Sequence, residues 1–154
     1  MNVKATLSPN DLARACADAM WKEDDASSGL GMKIIDVGPG RATLTMRIQP
    51  HMVNGQRIAH GGFIFTLADS AFAFACNSHN EKAVAAQGNI TFIKPGRLGD
   101  ELVATAREIS RSGRSGIYDV QVTAGGEVIA EFRGHSRTIG GTWLPSNETS
   151  SKQK

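Results

Sequence analysis

Cysteine is scarce: only Cys16 and Cys76 occur in 154 residues, too few for a disulfide framework and without metal-ligand spacing. Cys76 sits in an apolar run and reads as a buried thiol. Excess charge is small as well. The formal net charge of +2 leaves no strong basic footprint for nucleic acid, and a small anionic ligand suits it equally well. No clean membrane span is present, because the longest apolar run, residues 61–78, carries Thr66, Asp69 and Ser70. Residues 1–7 lack the basic start and apolar stretch of a secretory leader, so the cytoplasm is the expected compartment. His51, His79 and His135 show no ligand spacing; they read as surface or packing histidines, and no metal is expected. There is no nucleophile elbow to signal serine-hydrolase chemistry.

What is present fits one domain. Hydrophobic residues make up 40% and charged residues 21%, both ordinary for a globular chain. Ser8-Pro9-Asn10-Asp11 is a helix start, with a cap, a first-turn proline and an acid at the positive dipole end. Leu12, Cys16 and Met20 or Trp21 follow at helical spacing, and the helix fades in the polar run 22–28. Gly38-Pro39-Gly40 is a turn. Residues 41–48 alternate strictly, with Ala42, Leu44, Met46 and Ile48 against Arg41, Thr43, Thr45 and Arg47, the pattern of a half-buried strand. Residues 61–78 are apolar nearly all round, as in a helix buried on most sides. Strands are expected over 84–94, 101–110, 116–124 and 128–139, separated by Pro95-Gly96, Ser112-Gly113 and Gly125-Gly126. The last three form an antiparallel meander. The expected class is therefore α+β, one antiparallel sheet wrapped around a long central helix, with edges that invite a second copy. The expected organisation is a helix and linker over 1–28, the domain over 29–141 and a frayed tail over 142–154.

Two features carry chemistry. Asp69 lies mid-helix among Phe65, Leu67, Ala68, Phe72 and Ala73, where an unpaired carboxylate is expensive. Either it faces a solvated edge or it serves a reaction. His60-Gly61-Gly62 opens the same helix. Its glycines either pack tightly or leave backbone N–H groups free for an anion or developing oxyanion. Asp69 is eight residues past Gly61, about 12 Å along the axis. If both serve one carbonyl, they come from different subunits, and the active protein is at least a dimer.

Asn54-Gly55, His60-Gly61-Gly62 and Asp69 together resemble the signature of the PaaI-type hot-dog thioesterases. The likeness extends through Ala68-Asp69-Ser70-Ala71-Phe72-Ala73-Phe74-Ala75-Cys76-Asn77-Ser78, Phe92-Ile93-Lys94-Pro95-Gly96 and Phe132-Arg133-Gly134, and covers residues 29–141. The resemblance implies hydrolysis of an aryl-acyl-CoA, phenylacetyl-CoA-like or ring-hydroxylated, to acid and CoA in aerobic phenylacetate degradation. It implies that Asp69 is the nucleophile or general base and that the Gly61 N–H polarises the thioester carbonyl. Asn54 would place or activate the water or acyl group, and His60 would orient the loop. It also implies a tetramer of two dimers. CoA enters as substrate, with no separate cofactor. Many relatives carry a hydroxyl on the strand after the helix; Val84-Ala85-Ala86-Gln87-Gly88 has none. For the CoA phosphates, which take cations and backbone donors, the turn holding Gly113, Arg114 and Ser115 is one candidate. Lys94 and Arg97, flanking another turn, are the second. Two alternatives stay open: a hot-dog enoyl-CoA hydratase or dehydratase, and a non-catalytic acyl-CoA binding protein.

Overall fold

The computed structural model describes residues 6–145. Ser8 caps α1 (Pro9–Trp21), its hydroxyl accepting the Asp11 amide at 3.1 Å. The helix buries Ala13, Cys16 and Ala17. Where a polar linker was expected, a five-residue helix α2 (Asp25–Gly29) follows. It is held by polar contacts rather than by an apolar stripe, so periodicity could not reveal it. The Asp24 carboxylate accepts the Ser27 amide at 2.9 Å and the Ser27 hydroxyl at 2.7 Å. The Ser27 hydroxyl lies 2.8 Å from that of Ser70.

Next come β1 (Lys33–Gly38), β2 (Arg41–Arg47) and a 3-10 turn (Pro50–Met52). They lead to α3 (Gly61–Cys76), β3 (Ala83–Phe92), β4 (Glu101–Ser112), β5 (Ser115–Ala124) and β6 (Glu127–Thr138). All six strands join one antiparallel sheet in the order β1-β2-β4-β5-β6-β3. β4, β5 and β6 make the expected meander. Gly125 and Gly126 both have positive φ, as the two-residue turn between β5 and β6 requires. β3 does not lie beside β4, its neighbour in sequence. It crosses to pair with β6, from Ala83↔Thr138 to Phe92↔Ala130.

α3 packs on β2, β4 and β5. Fully buried Ala68, Ala71 and Ala75 let its backbone approach the sheet. Phe72 lies on Gly134 of β6, where a Cβ would come within 2.9 Å of the ring. Tyr118 and Phe132 flank the same ring, with centroids 5.6 and 5.9 Å away. This is the hot-dog arrangement, a sheet around a central helix. Its β3 edge carries no charged side chain and is exposed along most of its length. Such an edge lacks the usual protection against pairing. Among the described residues, no helix is long and apolar enough to cross a membrane.

Candidate active site

The segment before α3 is shaped by Asn54. Its Oδ1 accepts the Gln56 amide at 3.0 Å and the Ile58 amide at 3.4 Å, leaving Nδ2 without a partner among the described residues. Tight closure of this loop places Arg57 at φ +61°. His60 then caps α3, its Nδ1 accepting the Gly62 amide at 3.0 Å. As an acceptor at Nδ1, the neutral ring carries its proton on Nε2. The Phe63 amide goes to the His60 carbonyl at 3.0 Å. The Gly61 amide is thus the uncommitted donor of this first turn, having no partner among the described residues. Phe92, at the end of β3, lies over Gly61, and a Cβ there would meet the ring at 2.8 Å. Both the free amide and the close ring explain the glycine.

Asp69 stands two turns further along α3, about 12 Å from Gly61. It is half-buried, and no hydrogen bond or ion pair reaches it among the described residues. Burial raises its carboxyl above the ordinary value. It opens on a cavity of about 460 Å³ walled largely by apolar side chains, including Met20, Phe72, Val84, Ile139 and Trp143, with Lys82 also on the wall. Cys76 lines the same cavity. Its thiol is pushed up to about 12, first by burial and then by the Asp69 charge. It therefore stays protonated and is no competing nucleophile.

No histidine is among the residues lining this cavity. His79 instead meets Glu108 at 3.0 Å, and the Tyr118 hydroxyl donates to the same carboxylate oxygen at 2.7 Å. Burial alone would raise Glu108; the hydrogen bonds from Tyr118 and His79 outweigh it and hold the carboxyl below its usual range. This is a packing role.

The residues considered for CoA fall in two places. Gly113, at φ +58°, turns the hairpin between β4 and β5. Arg114 donates from its guanidinium to the Thr138 carbonyl at 2.9 and 3.2 Å. A crevice lined by Gly113, Arg114 and Ser115 also takes in Cys76 and Ala83, so this hairpin adjoins the Asp69 cavity. Lys94 and Arg97 lie at the other end of β4, in a separate hollow of about 330 Å³. There Lys94 pairs with Glu127 at 3.4 Å, and the Arg97 amide donates to Asp100 at 2.9 Å. Twelve residues of β4 separate the two places, roughly 35–40 Å. The Lys94–Arg97 turn instead adjoins the Gly61 end, since Ile58 bridges Arg97 and the Ala59 amide reaches the Gly96 carbonyl at 2.8 Å. The candidate residues thus fall into two groups at the two ends of β3: Asp69 with the basic hairpin, and Gly61 with Asn54, His60 and the second turn.

Residues 56–131 match the thioesterase superfamily. The acyl-coenzyme A thioesterase PaaI of Escherichia coli is 43% identical over 127 residues, covering 82% of this chain and 91% of that protein. The chain belongs to the thioesterase superfamily. The structure of E. coli PaaI, from the phenylacetic acid degradation operon, aligns at a TM-score of 0.86 and 41% identity, over 88% of this chain and 99% of that one. Human acyl-coenzyme A thioesterase 13 is 29% identical over 132 residues, 82% of this chain and 94% of that protein. A Streptococcus mutans protein bound to acetyl CoA aligns at a TM-score of 0.70 and 27% identity, over 72% of this chain and 90% of that one.

The cavity is also lined by side chains that sequence reasoning assigned to no site: Met20, Asn77, Lys82 and Trp143. The stretch expected to fray from Thr142 begins ordered, with Trp143 half-buried against the cavity. The rest of that expected tail, residues 146–154, lies outside the described residues. A lone tryptophan among serines and lysines was the available signal. Its contacts, more than sixty residues away in sequence, were not.

Proposed function

We propose that this thioesterase hydrolyses an acyl-CoA whose acyl part is a phenylacetyl-like or ring-hydroxylated aryl-acetyl group. The setting is aerobic phenylacetate breakdown in the cytoplasm. One observation carries the reading: an unpartnered Asp69 carboxylate at one end of edge strand β3 and an uncommitted Gly61 amide at the other. Antiparallel pairing of β3 with its copy, centred between Gln87 and Gly88, sets Ala83 of one chain opposite the partner's Phe92. The cavity of Asp69, walled by Ala83, Val84 and Ala85, then faces the Gly61 turn beneath that phenylalanine. Two such sites form per dimer, and two dimers make the tetramer. The kinship with E. coli PaaI supports the substrate class.

In this arrangement the thioester oxygen accepts the Gly61 N–H, which stabilises charge developing on it. Asp69 takes a proton from water as the water oxygen attacks the carbonyl carbon. The C–S bond breaks, CoA leaves as a thiolate, and the proton on Asp69 passes to sulfur or solvent. Alternatively, Asp69 attacks the carbonyl itself, the C–S bond breaks with CoA leaving as a thiolate, and water cleaves the resulting anhydride to the free acid and the Asp69 carboxylate. The free Nδ2 of Asn54 can hold the acyl oxygen or the water. His60, bound to the Gly62 amide, is a positioning residue that keeps Gly61 turned outward. The CoA phosphates lie on the Arg114 hairpin.

Complementation tests the shared site. Asp69→Asn removes the base, and Gly61→Pro removes the amide donor at a first helical position that tolerates proline. Co-expressed in equal amounts, the two inactive chains should recover about a quarter of wild-type thiol release. Half of randomly assembled dimers are mixed, and one of the two sites in each is intact. No recovery from the mixture would place the whole site in one chain. Hydration of an enoyl-CoA without thiol release would instead favour the hydratase.

A further inference from the structure

Trp143 stands outside residues 56–131, the stretch that matches the superfamily, yet it walls the cavity that holds Asp69. Its position is fixed by three contacts. The indole Nε1 donates to Asn77 Oδ1 at 2.9 Å. The Trp143 amide donates to Asn80 Oδ1 at 3.0 Å, and the same oxygen accepts the Leu144 amide at 3.0 Å. The Lys82 ammonium lies 4.8 Å from the centre of the indole ring, a cation–π distance.

The anchor is itself rigid. Asn77 is 1% exposed. Its side chain holds the Ala83 amide at 2.8 Å and the Ala83 carbonyl at 3.2 Å, which ties the end of α3 to the start of β3. Trp143 is therefore pinned to the frame that positions Asp69. A surface fixed before binding discriminates between ligands without an ordering cost at the moment of binding. Met20 and Phe72 continue the same wall. The volume, about 460 Å³, lies within the range of small-molecule sites.

We infer that Trp143 sets the acyl preference of this enzyme, as a fixed aromatic wall against which a flat aryl group packs. The inference rests on reading the Asp69 cavity as the acyl site. A planar ring meets an indole by offset stacking or edge contact and gains beyond its buried area, whereas a straight alkyl chain gains burial alone. The indole thus favours aryl over alkyl thioesters of similar carbon count.

The test compares kcat/KM for phenylacetyl-CoA and octanoyl-CoA, which have the same number of acyl carbons, in the wild type, Trp143→Phe and Trp143→Leu. Trp143→Leu should lower the aryl-to-alkyl ratio by about two- to tenfold, and Trp143→Phe should keep most of it. An unchanged ratio in Trp143→Leu overturns the inference, as does an equal fall for both substrates. Wild-type enzyme that releases thiol from neither substrate defeats the thioesterase reading of the cavity itself. A second measurement does not depend on the leucine variant folding. The chain has two tryptophans, so Trp21→Phe leaves Trp143 as the one emitting indole. Phenylacetate, the product acid, should change that emission saturably over the concentrations at which it inhibits hydrolysis. Inhibition with the emission unaltered overturns the inference.

Discussion

Asp69→Asn tests the chemistry most directly. Asn keeps the size of the side chain, and no hydrogen bond or ion pair to Asp69 has to be rebuilt among the described residues. The variant therefore loses the charge and little else. Cys76 cannot take over, since its thiol is held protonated, and no histidine lines the cavity. Loss of general-base catalysis lowers kcat by about 10²–10⁴, which is about 2.7–5.5 kcal/mol of barrier. A lost nucleophile costs at least as much. KM should move far less. The pH dependence supplies an independent check. Burial raises the Asp69 carboxyl in the fold above its unfolded value of about 3.9, so the folded chain holds that proton more tightly. This contribution to stability therefore falls as pH rises from about 3.9 to the raised folded value, and stays low above it. Activity runs the other way: kcat/KM climbs through the folded value as the carboxylate forms. Asp69→Asn should erase both effects and raise Tm at neutral pH. Thiol release and thermal melting of one preparation, across pH, measure all of this. Retention of more than about a tenth of wild-type kcat, well short of a general-base loss, would refute Asp69 as the catalytic residue.

Gly61→Pro should lower kcat by about 10²–10³, the loss expected for one oxyanion donor. The Phe92 ring must shift to admit the proline, so a melting temperature and an oligomeric state near wild type in an inactive protein would separate chemistry from folding. Arg114→Ala should raise KM for acyl-CoA with kcat nearly unchanged, because a phosphate contact is the same in ground and transition states. An equal KM would move the nucleotide to the Lys94–Arg97 turn. Gly134→Ala should cost about 1–3 kcal/mol, read as a Tm lower by about 2–4 °C for each kcal/mol, since Phe72 is wedged between Tyr118 and Phe132 and cannot retreat. A Tm equal to wild type would show that the ring and sheet relax freely.

Much of this protein is legible locally. The alternation through Arg41–Arg47, the capped start at Ser8 and Pro9, and the all-apolar α3 follow from side-chain periodicity, which needs only neighbours in sequence. That alternation is broken only at Thr45, which is buried although it was expected on the wet face. The double glycine of the β5–β6 turn and the last three strands are equally local. Asp69 stood out because a carboxylate inside an apolar helix contradicts the composition around it, and the 12 Å between it and Gly61 is helix arithmetic. Other features depended on partners far away in the chain. Ser27 reaches Ser70, Trp143 reaches Asn77, and β3 pairs with β6 in place of β4. None of these leaves a periodic trace, because each is a pairing of polar or backbone groups chosen by proximity in the folded chain. The split of the basic turns to opposite ends of β4 is by contrast local, because the two turns flank a strand already legible in the sequence. The residue types that can perform the chemistry are thus written in the sequence. Which of them share a cavity, and which strand edge stays open to a second copy, is decided by long-range packing around α3.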